Sequence, residues 1–298
     1  YPDKPVKLIV PFPPGGNIDA TARIIANGLS SKFNSPVIVE NRPGAAGILG
    51  SEYVARAAPD GYTMLLGSTG ALAPAKALNP SLNLDPVKDF VAASPISRAA
   101  LVLVVNLSIP VKSVAELIQY AKARPGKLTV ASSGTGTAAH LTAELFQSIS
   151  GTQFLHVPYK GSNPAIADLL GGQVDLIFDQ LASTLPQIQS GKLRALGVTT
   201  LGRTTVFPEL KTLAESGLPN FESSTTTGLL LPKGTPAAVI SKINTDVQSL
   251  LKMPETQQKF IALGADVVID SGEDFDKILA TDMQKWAFVV KEAGVKLP

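Results

Sequence analysis

The sequence feature that most constrains the fold is a Pro/Gly-rich turn that joins a short apolar strand to an amphipathic helix. The strand is predicted at residues 7–10 and the turn at residues 11–16. An amphipathic helix follows, with apolar residues three or four positions apart from Ile18 onward and with Asn17 or Asp19 as its predicted cap. Prolines restrict the backbone of the turn, and its two glycines allow close approach to a ligand. Because the first amides of a helix lack internal partners, this construction favours an anion at the helix N-terminus.

The same construction occurs a second time, at residues 127–150. A predicted strand at residues 127–130 leads into the turn S-S-G-T-G-T at residues 132–137, and a second amphipathic helix follows. One Gly-rich turn is an ordinary feature of an α/β domain. Two similar units, separated in the chain, favour two lobes whose helix N-termini point at a shared cleft.

Chain length and two apolar strands predict the domain organisation. At 298 residues the chain is long enough for two α/β lobes. Apolar runs at residues 99–105 and 229–231 mark the predicted crossings between lobes. We therefore predict an α/β fold with a discontinuous first lobe, residues 1–100 and 232–298, and a continuous second lobe, residues 101–231.

Two aspartates next to the predicted turns have alternative interpretations. Asp179 is predicted to end a buried strand, where it accepts hydrogen bonds from an amino or hydroxyl group of a ligand, holds backbone amides in place, or caps the helix that begins near Ala182. Asp19 is predicted to cap the helix or to support its loop, because a carboxylate in contact with the ligand would repel the anion that the loop attracts.

Composition and spacing argue against several functions. The net charge is only +2 and no basic run occurs, which argues against nucleic-acid binding. The longest apolar run, residues 99–105, is far shorter than the ~20 residues that cross a bilayer. The chain has no cysteine, and its two histidines, His140 and His156, lack metal-ligand spacing, so we expect no metal site. No serine lies in the turn that a hydrolase nucleophile requires.

An enzymatic alternative rests on the second Gly-rich turn. The stretch G-T-G-T-A-A at residues 134–139 matches a relaxed dinucleotide fingerprint between a strand and a helix. The acidic residue that normally follows about 20 positions later is absent. A nucleotide-dependent oxidoreductase is therefore the alternative, and a carboxylate sensor that transports nothing is a third possibility.

Motifs along the whole chain resemble those of a known family. They include P-F-P-P-G-G-N-x-D at residues 11–19, V-E-N-R-P-G-A-x-G at residues 39–47, P-D-G-Y-T at residues 59–63, H-V-P-Y-K-G at residues 156–161 and G-G-Q-V-D at residues 171–175. Together they resemble the Bug or TctC family, the periplasmic substrate-binding proteins of tripartite tricarboxylate transporters.

The resemblance implies a two-lobed, type II-like periplasmic binding protein of the Venus-flytrap kind, with two strand crossings between the lobes. Such a protein is not an enzyme and uses no cofactor. We expect a monomer in the periplasm, its signal peptide removed, that closes around a small carboxylate and delivers it to a membrane permease. The ligand is expected to be a di- or tricarboxylate or an aromatic carboxylate.

Family members bind carboxylates mainly through backbone amides and hydroxyl groups of their Gly-rich loops. The residues carried over by position are Phe12, Gly15, Gly16, Asn17, Ser68, Thr69, Gly70, Ser133, Thr135, Thr137 and Asp179, the last at a position that often contacts the far end of the ligand. His140 is added because it begins the second helix. Thr226 is added because a Thr-Thr pair stands where many relatives carry bulky residues, which predicts a roomier or more polar site.

Overall fold

The computed structural model describes residues 1–297, and the chain divides into two α/β units. Unit 1 comprises Tyr1–Arg98 and Thr226–Ala287; unit 2 comprises Ala99–Thr225 and the residues from Phe288 onward. The chain therefore passes between the units three times. No helix within residues 1–297 is long and apolar enough to cross a membrane.

The strands and helices alternate along most of the chain. The first part contains β1 (Val6–Val10), α1 (Asn17–Phe33), β2 (Val37–Asn41), α2 (Ile48–Ala55), β3 (Thr63–Ser68), α3 (Thr69–Leu78), α4 (Pro86–Asp89) and β4 (Phe90–Asn106). The middle contains α5 (Val114–Lys122), β5 (Thr129–Ser132), α6 (Ala138–Ser150), β6 (Leu155–Pro158), α7 (Ser162–Leu170), β7 (Leu176–Gln180), α8 (Leu181–Gln189) and β8 (Leu193–Val198). The last part contains β9 (Ser224–Pro232), α9 (Ala237–Leu251), α10 (Pro254–Ala262), β10 (Asp266–Val267) and α11 (Gly272–Glu292).

In unit 1, β1 lies between β2 and β3 and is parallel to both. β3 also pairs with β9, which runs antiparallel and places Thr227 opposite Ser68. Leu8 of β1, Ile25 of α1 and Val247 of α9 belong to one buried core. Because β1 and β3 are parallel neighbours, the loops that follow them emerge at the same edge of the sheet.

In unit 2, β5 lies between β6 and β7, and the three strands are parallel. The second half of β4 pairs antiparallel with β7 and with β8. Val102, Ile177 and Leu169 are buried in the core of this unit. The carboxyl ends of β5, β6 and β7 therefore share one edge, where α6, α7 and α8 begin.

The unit boundaries lie at different places from the predicted lobe boundaries. The apolar run at residues 229–231 is the end of β9, and the boundary falls earlier, between Thr225 and Thr226. An apolar run does not reveal the first part of this strand because its buried residues are threonines. The residues from Phe288 onward belong to unit 2, which no local pattern indicates.

Gly50 of α2 sets how closely that helix approaches the loop after β1. A Cβ atom at position 50 would lie 2.7 Å from the Arg42 carbonyl oxygen and 2.9 Å from the Pro11 Cα, and neither backbone atom can swing aside. We expect Gly50→Ala to lower the free energy of unfolding by about 1–3 kcal/mol, as overpacking does. Urea denaturation would measure this loss.

Gly202→Ala is the matched control, because a Cβ atom at Gly202 meets no atom within 4 Å. We expect this variant to lose no stability. Equal effects of the two substitutions would contradict the close packing of α2 against Pro11.

Candidate functional site

The first Gly-rich loop, residues 11–16, leads from β1 into an uncapped helix. Gly16 is the N-cap residue of α1 and no side chain caps the helix there. The amide of Ala20 donates to the Gly16 carbonyl as the first helical hydrogen bond. The amides of Asn17 and Ile18 precede that bond, and Gly15, Gly16 and Asn17 are exposed. This helix end therefore offers backbone donors to an anion.

Asp19 holds this loop in place from the first turn of α1. Its Oδ2 accepts hydrogen bonds from the Gly15 amide at 3.0 Å and from Arg23 Nε at 2.9 Å. Its Oδ1 accepts from Asn41 Nδ2 at 2.9 Å, and the same nitrogen donates to the Phe12 carbonyl at 3.1 Å. The bond from Arg23, helped by the one from Gly15, lowers the pKa of Asp19 to about 2. The Gly15 amide is therefore engaged by Asp19.

A strained turn after β2 lies against Phe12. Ala45 and Ala46 have positive φ angles of 48° and 53°, which non-glycine residues rarely adopt. The adjacent Gly47 also has a positive φ, and a Cβ atom there would lie 3.2 Å from Phe12 Cζ. A side chain at position 47 would crowd the Phe12 ring, so the turn helps to fix the position of that ring.

The loop after β3 brings Thr69 next to Thr226 within unit 1. Ser68 and Thr69 are buried, whereas Gly70 is partly exposed. Thr69 Oγ1 accepts a hydrogen bond from the Thr226 amide at 3.2 Å. In the described residues, the buried Thr226 Oγ1 has no hydrogen-bond partner. Because buried polar groups are nearly always hydrogen-bonded, the Thr226 hydroxyl stands out in this unit.

In the second Gly-rich loop, residues 133–137, the side chain of the last residue, Thr137, hydrogen-bonds back to the loop. Thr137 is the N-cap residue of α6, and its Oγ1 donates to the Gly134 carbonyl at 2.7 Å. The same oxygen accepts weakly from the His140 amide at 3.4 Å. Ser133 and Thr135 are partly exposed in this loop. The Thr137 hydroxyl is thus already engaged within unit 2.

His140 and His156 are stacked beneath this loop. Their ring centroids are 3.8 Å apart and their planes differ by 6°. His140 Nδ1 accepts from the Gly136 amide at 3.0 Å, and His140 Nε2 lies 3.5 Å from Glu144 Oε1. His156 Nε2 lies 2.7 Å from Ser132 Oγ. Burial, and then the neighbouring His140, lower the pKa of His156 to about 4.

Asp179 lies at the carboxyl end of β7, beside the end of β5. Its Oδ1 accepts from the Gln180 amide at 2.8 Å, and it does not cap α8, which has no side-chain cap. Its Oδ2 is buried with no hydrogen-bond partner in residues 1–297. Burial raises the pKa of this carboxyl, while Ser162 and the Gln180 amide lower it. Of the roles predicted for Asp179, the helix cap is therefore wrong, whereas the hydrogen bond from the Gln180 amide matches the role of holding a backbone amide.

Comparison with known proteins identifies the family of the chain. Residues 21–295 match the Tripartite tricarboxylate transporter family receptor, TctC. This chain belongs to the TctC family. It is similar to Protein BugT of Bordetella pertussis, with 41% identity over 100% of this chain and 91% of the relative.

Two solved structures of similar proteins share the fold of this TctC receptor. R. palustris Rpa4515 with adipate is 35% identical, with a TM-score of 0.83 over 99% of each chain. The periplasmic binding protein BugD is 36% identical, with a TM-score of 0.78 over 99% of each chain. The predicted α/β periplasmic binding protein fold is confirmed. Because the family consists of solute receptors, the oxidoreductase alternative is set aside.

In each unit of the TctC receptor, the predicted site residues gather at the carboxyl ends of parallel strands. Unit 1 holds Phe12, Gly15, Gly16, Asn17, Ser68, Thr69, Gly70 and Thr226; unit 2 holds Ser133, Thr135, Thr137, His140 and Asp179. Sequence reasoning did not identify Asn41 and Ser132 as loop supports. Asn41 ends the strand next to β1, which is the signal that could have pointed to it.

The Asp19 contacts predict the effect of removing its charge. In Asp19→Asn, one oxygen becomes a donor that faces other donors, and Arg23 loses its partner. We expect a loss of about 2–3 kcal/mol in the free energy of unfolding at pH 7, as for hydrogen bonds to charged groups. Because the folded-state pKa of Asp19 is depressed, its contribution is present above pH ~4 and disappears as the pH falls toward 2.

Urea denaturation at pH 7 and pH 2.5 would test both parts of this prediction. Glu52→Gln is the control, because its pair with the exposed Arg56 should contribute less than about 0.5 kcal/mol. A loss in Asp19→Asn no larger than in the control would refute the supporting role of Asp19.

Proposed function

We propose that this TctC receptor works in the periplasm, where it captures a small carboxylate and delivers it to the permease of a tripartite transporter. The observation that carries the proposal is the exposed, uncapped N-terminus of α1, held rigid by Asp19. A loop that is ordered before the ligand arrives loses little entropy on binding. The solved structure of the similar Rpa4515 with adipate supports a carboxylate ligand.

In unit 1, we assign one ligand carboxylate to the amides at Gly16 and Asn17. The Gly15 amide is left out because it donates to Asp19. Phe12 supplies an apolar contact beside these amides, and Ser68, Thr69 and Gly70 lie where the neighbouring parallel strand β3 passes directly into α3. In unit 2, Ser133 and Thr135 offer hydroxyls from the second Gly-rich loop.

Thr226 and Asp179 are proposed to select the ligand. Each carries a buried oxygen without a hydrogen-bond partner in the described residues. An unsatisfied carboxyl oxygen accepts hydrogen bonds or, when protonated, donates one, so Asp179 favours a ligand that carries a polar group besides the carboxylate. Thr226 adds a hydroxyl that serves as donor or acceptor.

The proposal is tested by thermal unfolding of refolded, ligand-free protein against aliphatic and aromatic mono-, di- and tricarboxylates, amino acids and NAD. A ligand at a hundred times its Kd adds about 2.7 kcal/mol to stability, which raises the midpoint by about 5 °C in a chain of this size. We expect one carboxylate subclass to produce this shift and NAD to produce none. A shift with amino acids or NAD alone would overturn the proposal.

Gly16→Asp tests the anion site without disturbing the fold. Gly16 has an ordinary φ of −84°, and a Cβ atom there meets no atom within 4 Å. Asp and Asn are both good N-cap residues, so Gly16→Asn is the matched neutral control. Two carboxylates 4 Å apart repel each other by about 4 kcal/mol at an effective dielectric constant of 20. We therefore expect Gly16→Asp to bind the identified carboxylate at least about 100-fold more weakly than Gly16→Asn, by calorimetry; equal affinities would place the carboxylate elsewhere.

Asp179→Asn tests whether Asp179 Oδ2 lacks a partner until the ligand binds. We expect the ligand-free variant to gain about 1–3 kcal/mol in free energy of unfolding at pH 7, the usual cost of an unsatisfied buried group. Because burial raises the folded-state pKa, the wild type loses stability as the pH rises above ~4, so the gain should vanish at pH 3.5. Urea denaturation at both pH values measures it.

Asp175→Asn is the matched control, because Asp175 Oδ2 accepts from both the amide and the hydroxyl of Thr129. That variant should lose stability at pH 7. A loss in Asp179→Asn as well would show that its carboxyl already has partners in the free protein.

A further inference from the structure

The stacked histidines hold the second Gly-rich loop at both of its ends. His140 Nδ1 accepts from the Gly136 amide at 3.0 Å, near the C-terminal end of the loop. At the other end, His156 Nε2 lies 2.7 Å from Ser132 Oγ, and that oxygen accepts from the Gly134 amide at 3.2 Å. The two rings are stacked in contact, so a charge on one ring acts directly on the other.

The bond from Gly136 exists only while His140 is neutral. A protonated imidazole donates from both nitrogens and accepts at neither. A proton on His140 Nδ1 would therefore face the Gly136 N–H, donor against donor, and the amide would lose its partner. Gly136 has a positive φ of 77°, which glycine alone adopts at little cost, so this loop has access to other conformations once the bond is lost.

The surroundings of the pair oppose a second charge. His140 is 5% exposed, and the stacked rings leave no water between them to screen two cations. Glu144 Oε1 on α6 lies 3.5 Å from His140 Nε2, and the His156 ring on β6 stacks against the His140 ring. Among the strands packed against α6, β5 contributes Ser132, which does not titrate in this range, and β7 contains one titratable residue, Asp179. Burial, and then the neighbouring His140, lower the pKa of His156 to about 4, and the acceptor that Gly136 uses is His140 Nδ1.

We propose that His140 and His156 are positioning residues that hold residues 133–137 in their ligand-binding shape only while His140 Nδ1 carries no proton, so that acidification releases the loop and weakens ligand binding. This inference rests on the proposed function, because it assigns a pH-dependent affinity to that carboxylate site. The pair includes both histidines of the chain, so any imidazole titration comes from it.

The experiment compares the full chain with His140→Asn, whose Oδ1 can accept from Gly136 but does not titrate, and with His140→Ala, which lacks the acceptor. Calorimetry with adipate at pH 7.5 and pH 5 measures affinity, and hydrogen exchange followed by NMR measures protection of the Gly136 amide without ligand. In the wild type we expect a tenfold or greater loss of affinity at pH 5 beyond that of His140→Asn, together with loss of Gly136 protection. His140→Ala should lack that protection at both pH values.

The two readouts separate the two proposals. Titration of adipate itself is common to all variants and cancels in the comparison with His140→Asn. If adipate and every other acid fail to bind while Gly136 loses protection at pH 5, the carboxylate assignment fails and the histidine mechanism for the loop stands. The inference is overturned if Gly136 is equally protected at both pH values, or if His140→Asn and the wild type share one pH profile.

Discussion

A side chain in the third position of a helix accepts a hydrogen bond from the glycine four residues before it, and both Gly-rich loops depend on this contact. In α1 the acceptor is Asp19, which takes the Gly15 amide at 3.0 Å. In α6 it is His140, which takes the Gly136 amide at 3.0 Å. The contact resembles the reciprocal half of a capping box, moved one residue outside the helix. It turns each glycine from a flexible link into an ordered residue and leaves the next amides of the helix for other partners.

Much of the architecture could be predicted from local pattern. The short apolar runs at residues 8–10 and 99–105 lie in the buried strands β1 and β4, as their composition indicates, and the glycines after β1 and β5 precede helices. The family could be predicted because its motifs extend along the whole chain. Of the two roles predicted for Asp19, support of its loop matches the hydrogen bond from the Gly15 amide, whereas a cap by Asp19 or Asn17 is wrong because no side chain caps α1.

The rest depends on distant neighbours that no local pattern records. The first half of β9 contains three buried threonines, of which Thr227 pairs with β3. A search for apolar runs therefore finds only the end of this strand. Asn41 supports Phe12 and Asp19 because β2 pairs with β1 in one particular register, Val10 opposite Asn41. His140 and His156 are 16 positions apart, and only the parallel arrangement of β5 and β6 beside α6 brings their rings into contact.

Under the proposed function, the different acceptors in the two loops are explained by the charge that a bound anion tolerates nearby. An acceptor is needed in both places, yet a bare carboxylate beside the ligand would repel it. In unit 1 the carboxylate of Asp19 is offset by Arg23, which binds both of its oxygens, so the supporting pair carries no net charge. In unit 2 the same requirement is met by an acceptor that is itself neutral, the imidazole of His140. The loop of unit 2 therefore needs no arginine, but it depends on an imidazole, a group that can take up a proton. Asp19, with a pKa of about 2, keeps its charge throughout the range in which a histidine titrates.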